Sequence, residues 1–184
     1  MGKVTVVCNV TLDGVMQAPG RPDEDLRGGF EYGGWATPYS EDAMGRVLGS
    51  RAGMDGGMLL GRRTYEDFAD FWPKQPANPY TEALNKQQKY VVSTTLTDPS
   101  WVNSYVVTLD DVAGLKAEQN LVILGSGELI RSIPDLIDEY ILLIHPLVLG
   151  TGQPLFGPTH ENLQLTDSVT TTTGVIIATY EPQP

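Results

Sequence analysis

The chain has 184 residues, with 12 Lys and Arg against 23 Asp and Glu, a formal net charge of −11, one cysteine and two histidines. That length fits one domain over residues 1–184, and a lone cysteine excludes an internal disulfide and a cysteine-based zinc centre. The acidic balance argues against nucleic acid or an anionic membrane as partner, and the scarcity of histidine argues against Ser-His-Asp or Cys-His nucleophilic catalysis.

The start of the chain, a short apolar run that soon meets Asp13 and Gly14, lacks the pattern of a signal peptide. The longest apolar run, residues 140–149, falls far short of the roughly 20 residues that span a bilayer. A soluble, cytoplasmic protein is expected. Any hard chemistry would come from a carboxylate or from a bound cofactor.

In chain order, residues 3–10 are rich in valine and predict a buried strand. Residues 11–38 hold many Gly and Pro and predict a long loop region, a length that in compact domains tends to be functional. Ser40 is placed to cap a helix over 41–48, with Glu41 and Asp42 at its positive end, though Gly45 and Gly49 weaken it. Residues 57–60 predict a strand and 62–68 a helix, whereas the prolines within 71–79 predict irregular structure. A helix over 81–86 and strands over 89–93 and 104–108 follow. Next come a helix over 110–118, a buried strand over 121–124 and a helix over 127–133 stopped by Pro134. Residues 138–149 predict a long strand, bent near His145-Pro146 because proline removes a ladder donor. Residues 163–170 and 175–181, punctuated by Gly174, predict an antiparallel hairpin. The alternation implies a mainly parallel sheet covered on both faces, with ligands bound outside the carboxyl ends of its strands.

Three such ends stand out. Val122-Ile123-Leu124 runs into Gly125-Ser126-Gly127 and then a helix, where backbone N–H groups can meet an anion; the alternative is a tight turn with Ser126 as N-cap. Met58-Leu59-Leu60 runs into Gly61-Arg62-Arg63-Thr64. Two arginines there oppose the helix dipole, and either a bound phosphate or pairing with nearby acids offsets them. Tyr90-Val91-Val92 ends in Ser93-Thr94-Thr95, hydroxyls that donate to phosphate or close an ordinary turn.

Taken in order, Gly61-Arg62-Arg63-Thr64-Tyr65-Glu66, Val91-Val92-Ser93-Thr94 and Ile123-Leu124-Gly125-Ser126-Gly127-Glu128 resemble the dihydrofolate reductase-like superfamily. Val10-Thr11-Leu12-Asp13-Gly14 resembles its first strand and loop. The run Pro146-Leu147-Val148-Leu149-Gly150-Thr151-Gly152-Gln153-Pro154-Leu155-Phe156 brings the likeness closest to the C-terminal reductase domain of the riboflavin-biosynthesis deaminase–reductase. Phe71-Trp72-Pro73 is similar to its stand-alone bacterial relatives. The resemblance spans essentially the whole chain. It implies an α/β fold of dihydrofolate reductase-like type: a central mixed, mostly parallel sheet flanked by helices, with a C-terminal antiparallel hairpin.

It also implies NADPH as cofactor. By that likeness Gly61, Arg62, Arg63 and Thr64 meet its adenosine and pyrophosphate portions, and Ser93 and Thr94 its 2′-phosphate. Gly125, Ser126, Gly127, Glu128 and Leu129 match the pyrophosphate-binding turn, and Asn9, Met16 and Gln17 fall near the nicotinamide end. Met16 fits simple core packing as well. On the substrate side, Asp42 or Glu41 answers to the carboxylate that holds the pteridine in dihydrofolate reductase, or else serves as helix N-terminal charge.

Where the riboflavin enzymes hold a ribose-phosphate, this chain has Arg27-Gly28-Gly29-Phe30-Glu31-Tyr32-Gly33-Gly34-Trp35. That segment reads as a mobile flap over a flat heterocycle, or as a lid anchored by Phe30 and Trp35. The zinc signature of a deaminase partner is lacking. His145 reads as a core or interface histidine, and Cys8 as an inert buried thiol. Residues 140–149 and the last two strands are apolar enough for a homodimer surface, as relatives often form.

The expected function is hydride transfer from NADPH to a small pyrimidine- or pteridine-type heterocycle, similar to 5-amino-6-(5-phosphoribosylamino)uracil reductase. The alternatives are a non-catalytic NADPH-binding or sensor domain and a true dihydrofolate reductase.

Overall fold

The computed structural model describes residues 1–39, 47 and 56–183. Its strands are Val4–Thr11 (β1), Gly57–Gly61 (β2), Lys89–Val92 (β3), Ser104–Val107 (β4), Leu121–Leu124 (β5), Glu139–His145 (β6), Leu163–Thr170 (β7) and Ile176–Pro182 (β8). Its helices are Arg62–Phe71 (α1), Pro79–Lys86 (α2), Asp111–Glu118 (α3) and Gly127–Ser132 (α4). The strands form one sheet in the order β4-β3-β2-β5-β1-β6-β8-β7. β1 to β6 run parallel, and β8 and β7 close the sheet as the expected antiparallel hairpin.

Parallel strands covered on both faces are written as unbroken apolar runs, which is why the sequence located them. Val4, Val6, Cys8 and Val10 of β1 pack on one face with Ile123, Leu142 and the apolar side of α4. Val7 packs on the other face with Val122, Leu143 and Ile177. Beside it, Met58, Leu60 and Val91 meet Tyr65 of α1 and Leu84 of α2. Of the segments read as a dimer surface, β6 is largely buried inside the chain, whereas Leu165, Val169 and Ile176 on the hairpin are exposed. Among the described residues no helix is long and apolar enough to cross a membrane.

Three boundaries differ from expectation by more than one residue. β6 ends at His145 rather than at residue 149: Pro146 has no N–H, Leu147 N turns back to His145 O at 2.8 Å, and Leu147 O accepts from Leu12 N at 2.9 Å. α2 begins at Pro79, because Asn78 Oδ1 accepts from the N–H groups of Tyr80 and Thr81 at 2.9 and 3.0 Å while Thr81 Oγ1 accepts from Asn78 N. Such a capping box starts the helix at the proline, whose missing donor is unneeded there. α1 runs on to Phe71 and leads into a 3-10 turn at Trp72–Lys74. The helix expected over 41–48, with Ser40, Glu41 and Asp42, lies outside the described residues apart from Val47.

The long loop after β1 is tied down rather than free. Met16 N donates to Gln153 O at 2.9 Å, and Gly34 N to Ala18 O at 2.8 Å. Phe30 and Trp35 are buried with Val15, Ala18 and Ala36. They are apolar anchors, the second of the two readings of residues 27–35, and of that stretch Arg27 alone lines the cavity described below.

Candidate active site

A cavity of about 830 Å³ opens at the carboxyl edge of the sheet. Asn9, Gly61, Val92, Leu124 and Leu143, at or near the ends of β1, β2, β3, β5 and β6, all reach it. A doubly wound sheet leaves its ligand crevice there. Of the expected cofactor residues, Asn9, Met16, Gln17, Gly61, Arg62, Arg63, Thr64, Gly125, Ser126, Gly127, Glu128 and Leu129 line it.

Ser93 and Thr94 stand just beyond, with Thr94 exposed. Ser93 Oγ accepts from the N–H groups of Thr95 and Leu96 at 3.1 and 3.0 Å, the turn geometry read as the alternative for this segment.

The ends of β2 and β5 are joined side by side. Gly61 N donates to Ser126 Oγ at 3.1 Å. Ser126 adopts φ 58°, ψ 50° and its side chain makes no cap hydrogen bond, so it is not a conventional N-cap. Gly125 precedes it at φ +61°. Two successive left-handed residues turn the backbone abruptly into α4, and glycine serves the first of them.

Gly61 is different. Its φ of −72° suits any residue. A Cβ added to it would lie 3.8 Å from Ser126 Cβ, an ordinary contact. Neither conformation nor neighbouring protein calls for glycine there; what the missing side chain opens is the cavity. Arg62 and Arg63 follow with exposed side chains. Arg62 has Glu66 3.8 Å away, and Arg63 has no ion-pair partner among the described residues.

The opposite wall comes from the loop after β1. Gln17 is buried and used at both ends: Nε2 donates to the carbonyls of Asp25 and Arg27 at 3.1 and 3.0 Å, and Oε1 accepts from Gln153 N at 2.9 Å. It holds the wall in shape. Arg21 reaches across to α1, where it pairs with Asp67 and lays its guanidinium 4.4 Å over the Phe71 ring. Burial pushes the Asp67 carboxyl above its ordinary range despite Arg21. Burial likewise raises Glu24, whose Oε2 accepts from Gly20 N and Arg21 N. Arg27 holds the Asp25 carboxyl below its usual range. The Arg21–Asp67–Phe71 clasp was missed in the sequence; its partners are ordinary surface residues far apart in the chain.

Cys8 matches expectation: it is buried, and burial pushes its thiol up to about 12, far from reactive. Among the described residues no cluster of His, Cys, Asp and Glu is arranged to hold a metal.

Residues 2–177 match the family described as the RibD C-terminal domain. The chain belongs to that family. A RibD C-terminal domain with this sheet order and this cavity has the dihydrofolate reductase-like fold. It is 30% identical over 138 residues to the uncharacterized protein YyaP of Bacillus subtilis strain 168, covering 67% of this chain and 72% of that one. It is 33% identical over 108 residues to the uncharacterized YwjB of the same organism, covering 54% and 57%.

Among solved structures, a putative riboflavin biosynthesis protein from Shewanella sp. PV-4 superposes with a TM-score of 0.69 at 23% identity, over 99% of both chains. A pyrimidine reductase-like protein from Corynebacterium diphtheriae gives 0.65 at 12%, over 100% of this chain and 92% of that one. Dihydrofolate reductase from Enterococcus faecalis, complexed with NADP(H), gives 0.63 at 14%, over 100% and 98%. The family supports a reductase-type function.

Proposed function

We propose that this chain is an NADPH-dependent reductase acting on a small heterocycle of pyrimidine or pteridine type. The observation that carries the reading is Gly61: a glycine that neither its backbone nor its protein neighbours require, opening the cavity wall beside two arginines and the Gly125-Ser126-Gly127 turn. A backbone bared in this way lets a diphosphate approach closely.

In this reading Gly61–Thr64 and Gly125–Leu129 hold the pyrophosphate and its adenosine side. Ser93 and Thr94, beside the cavity at the end of β3, meet the 2′-phosphate. Asn9 and Met16 stand at the nicotinamide end, with Gln17 holding the loop wall against them. NADPH supplies the hydride when bound, which suits a site whose described residues offer no activated nucleophile. The protein's part is to align donor and acceptor and to shut out water, the task of the loop wall clasped onto α1 by Arg21.

Thermal denaturation with NADPH and with NADH tests the cofactor. At 100 times the dissociation constant, binding adds roughly 2.7 kcal/mol. The expected result is a clear shift with NADPH and a smaller one with NADH, and no shift with either would refute the reading. Oxidation of NADPH in the presence of a pyrimidine and pteridine panel then separates a reductase from a domain that only binds.

A further inference from the structure

Asn9 of β1 and His145 of β6 form a polar pair on the sheet face that also carries Val7 and Leu143, near neighbours in the parallel register that matches Asn9 with Leu143 and Thr11 with His145. His145 is only 1% exposed, and its Nε2 lies 2.9 Å from Asn9 Oδ1. The imidazole is set edge-on to Trp35, centroids 5.2 Å apart at 87°, and to Tyr39, 5.4 Å at 72°. Trp35 is itself fixed by Nε1 donating to Gln17 O at 2.8 Å. His145 Nδ1 is buried with no hydrogen-bond partner. Asn9 is half-buried and lines the cavity, and among the described residues its side chain has a hydrogen bond through Oδ1 and none through Nδ2.

These facts select a tautomer. Burial pushes His145 from 6.5 down to about 4, so the ring is neutral at pH 7 and carries one N–H. With the proton on Nδ1, a buried N–H would have no acceptor. With it on Nε2, the proton lies in the bond to Asn9 Oδ1 and only a lone pair goes unmatched. Orphaned buried N–H groups are the rarer of the two. Nε2 therefore donates and Oδ1 accepts. Oδ1 keeps a second lone pair but is held against the buried imidazole, and the group of the Asn9 carboxamide left without a partner among the described residues is its NH2, which can only donate.

We propose that His145 is a positioning residue that locks the Asn9 carboxamide with its NH2 group free for the cavity, so that this part of the wall offers a donor that selects a carbonyl oxygen on the ligand. An amino group or ring N–H at the same place would set donor against donor. The tautomer stands independently of the reductase reading. The carbonyl's source rests on that reading: the nicotinamide carboxamide or a carbonyl of the substrate ring.

Nitrogen-15 NMR of the histidine rings in the whole chain at pH 7, with His160→Asn assigning the second of the two histidines, reads the tautomer without any ligand. A neutral ring protonated on Nε2 is expected; an Nδ1–H tautomer or a charged ring overturns the proposal. The ligand arm titrates NADPH, its fragment 2′-phospho-ADP-ribose, which has no nicotinamide, and uracil added to the NADPH complex.

Asn9→Asp keeps the shape and turns the donor into an acceptor. An about tenfold loss for NADPH with the fragment unchanged assigns the contact to the cofactor; the same loss for uracil with NADPH unchanged assigns it to the substrate ring. His145→Leu is expected to reproduce the loss, and His145→Gln, whose amide N–H can take the place of Nε2–H, to restore binding. If Asn9→Asp and His145→Leu bind every probe as the wild type does, the proposal is overturned. Failure of the wild type to bind NADPH overturns the reductase reading and the carbonyl assignment, and leaves the NMR result to decide the tautomer.

Discussion

Acid should weaken this fold through His145 before it reaches the carboxylates. The unfolded chain takes up that proton near 6.5 and the folded chain at about 4, because burial excludes the charge. Between those values the unfolded state binds more protons than the folded one, so stability falls as pH falls. At pH 5 the linkage amounts to about 2 kcal/mol relative to pH 8, a large share of a typical domain's stability.

Other groups titrate differently. Asp13, held low by the Thr11 hydroxyl, and Asp25, held low by Arg27, lose their stabilisation only below the ordinary carboxylate range. Glu24 and Asp67, raised by burial, act in the opposite direction. A wild-type profile therefore mixes signs, and the difference from His145→Gln isolates the histidine. Urea unfolding at pH 8, 6.5 and 5 is the assay. The wild type should lose about 2 kcal/mol more than the variant between the extremes. Parallel pH profiles for the two proteins would refute the argument.

Gly61→Ala should leave urea stability within about 0.5 kcal/mol, since φ and contacts allow it, yet cut NADPH affinity at least ~10-fold in a fluorescence titration. Arg21→Ala opens the clasp on Asp67 and Phe71; a stability loss of about 1 kcal/mol and faster limited proteolysis within residues 16–27 are expected. Lys89→Met should destabilise by roughly 2–4 kcal/mol in urea, because the buried Nζ, 4.3 Å from the Trp101 ring centre, donates to the carbonyls of Gln87 and Val102 at 2.8 and 3.1 Å and leaves them unpaired when removed.

The sheet was legible because burial on both faces leaves a run such as Leu121–Leu124 no alternative to a strand, and because glycine after an apolar run marks where a strand ends. The hairpin was legible from Gly174, which takes φ +86° at its turn. Helix starts were less so. Pro79 reads as a breaker until Asn78 and Thr81 are seen to cap each other, and then it reads as a first helical residue. The sequence allows residues 27–35 either a flap over a ligand or a lid anchored by Phe30 and Trp35, and the packing of those rings against Val15 and Ala18 decides for the anchors. The cavity wall is made by Gln17, Arg21 and Glu24, whose contacts run to main-chain carbonyls and N–H groups and to α1 and leave no periodicity in the sequence. Asn9–His145 belongs to the same class: a pair 136 positions apart, brought together only by strand register.

The distribution of charge gives the cavity a direction. A net charge of −11 repels an anion at long range, so an anionic ligand has to be held by local donors. Four arginines line the cavity, and the two on the loop wall are committed: Arg21 to Asp67 of α1, Arg27 to Asp25. Arg62 shares Glu66, and Arg63 is the one without an ion-pair partner among the described residues. Positive potential is thus concentrated where β2 meets α1, beside the N–H-bearing turn of Gly125 and Ser126. Along the loop wall the cations are matched, and burial raises the carboxyl of Glu24, and that of Asp67 on the facing helix, above the usual range. Such a gradient favours a phosphate-bearing group at the β2–β5 end and an uncharged ring against the loop wall, the orientation in which the Asn9 amide meets the ring.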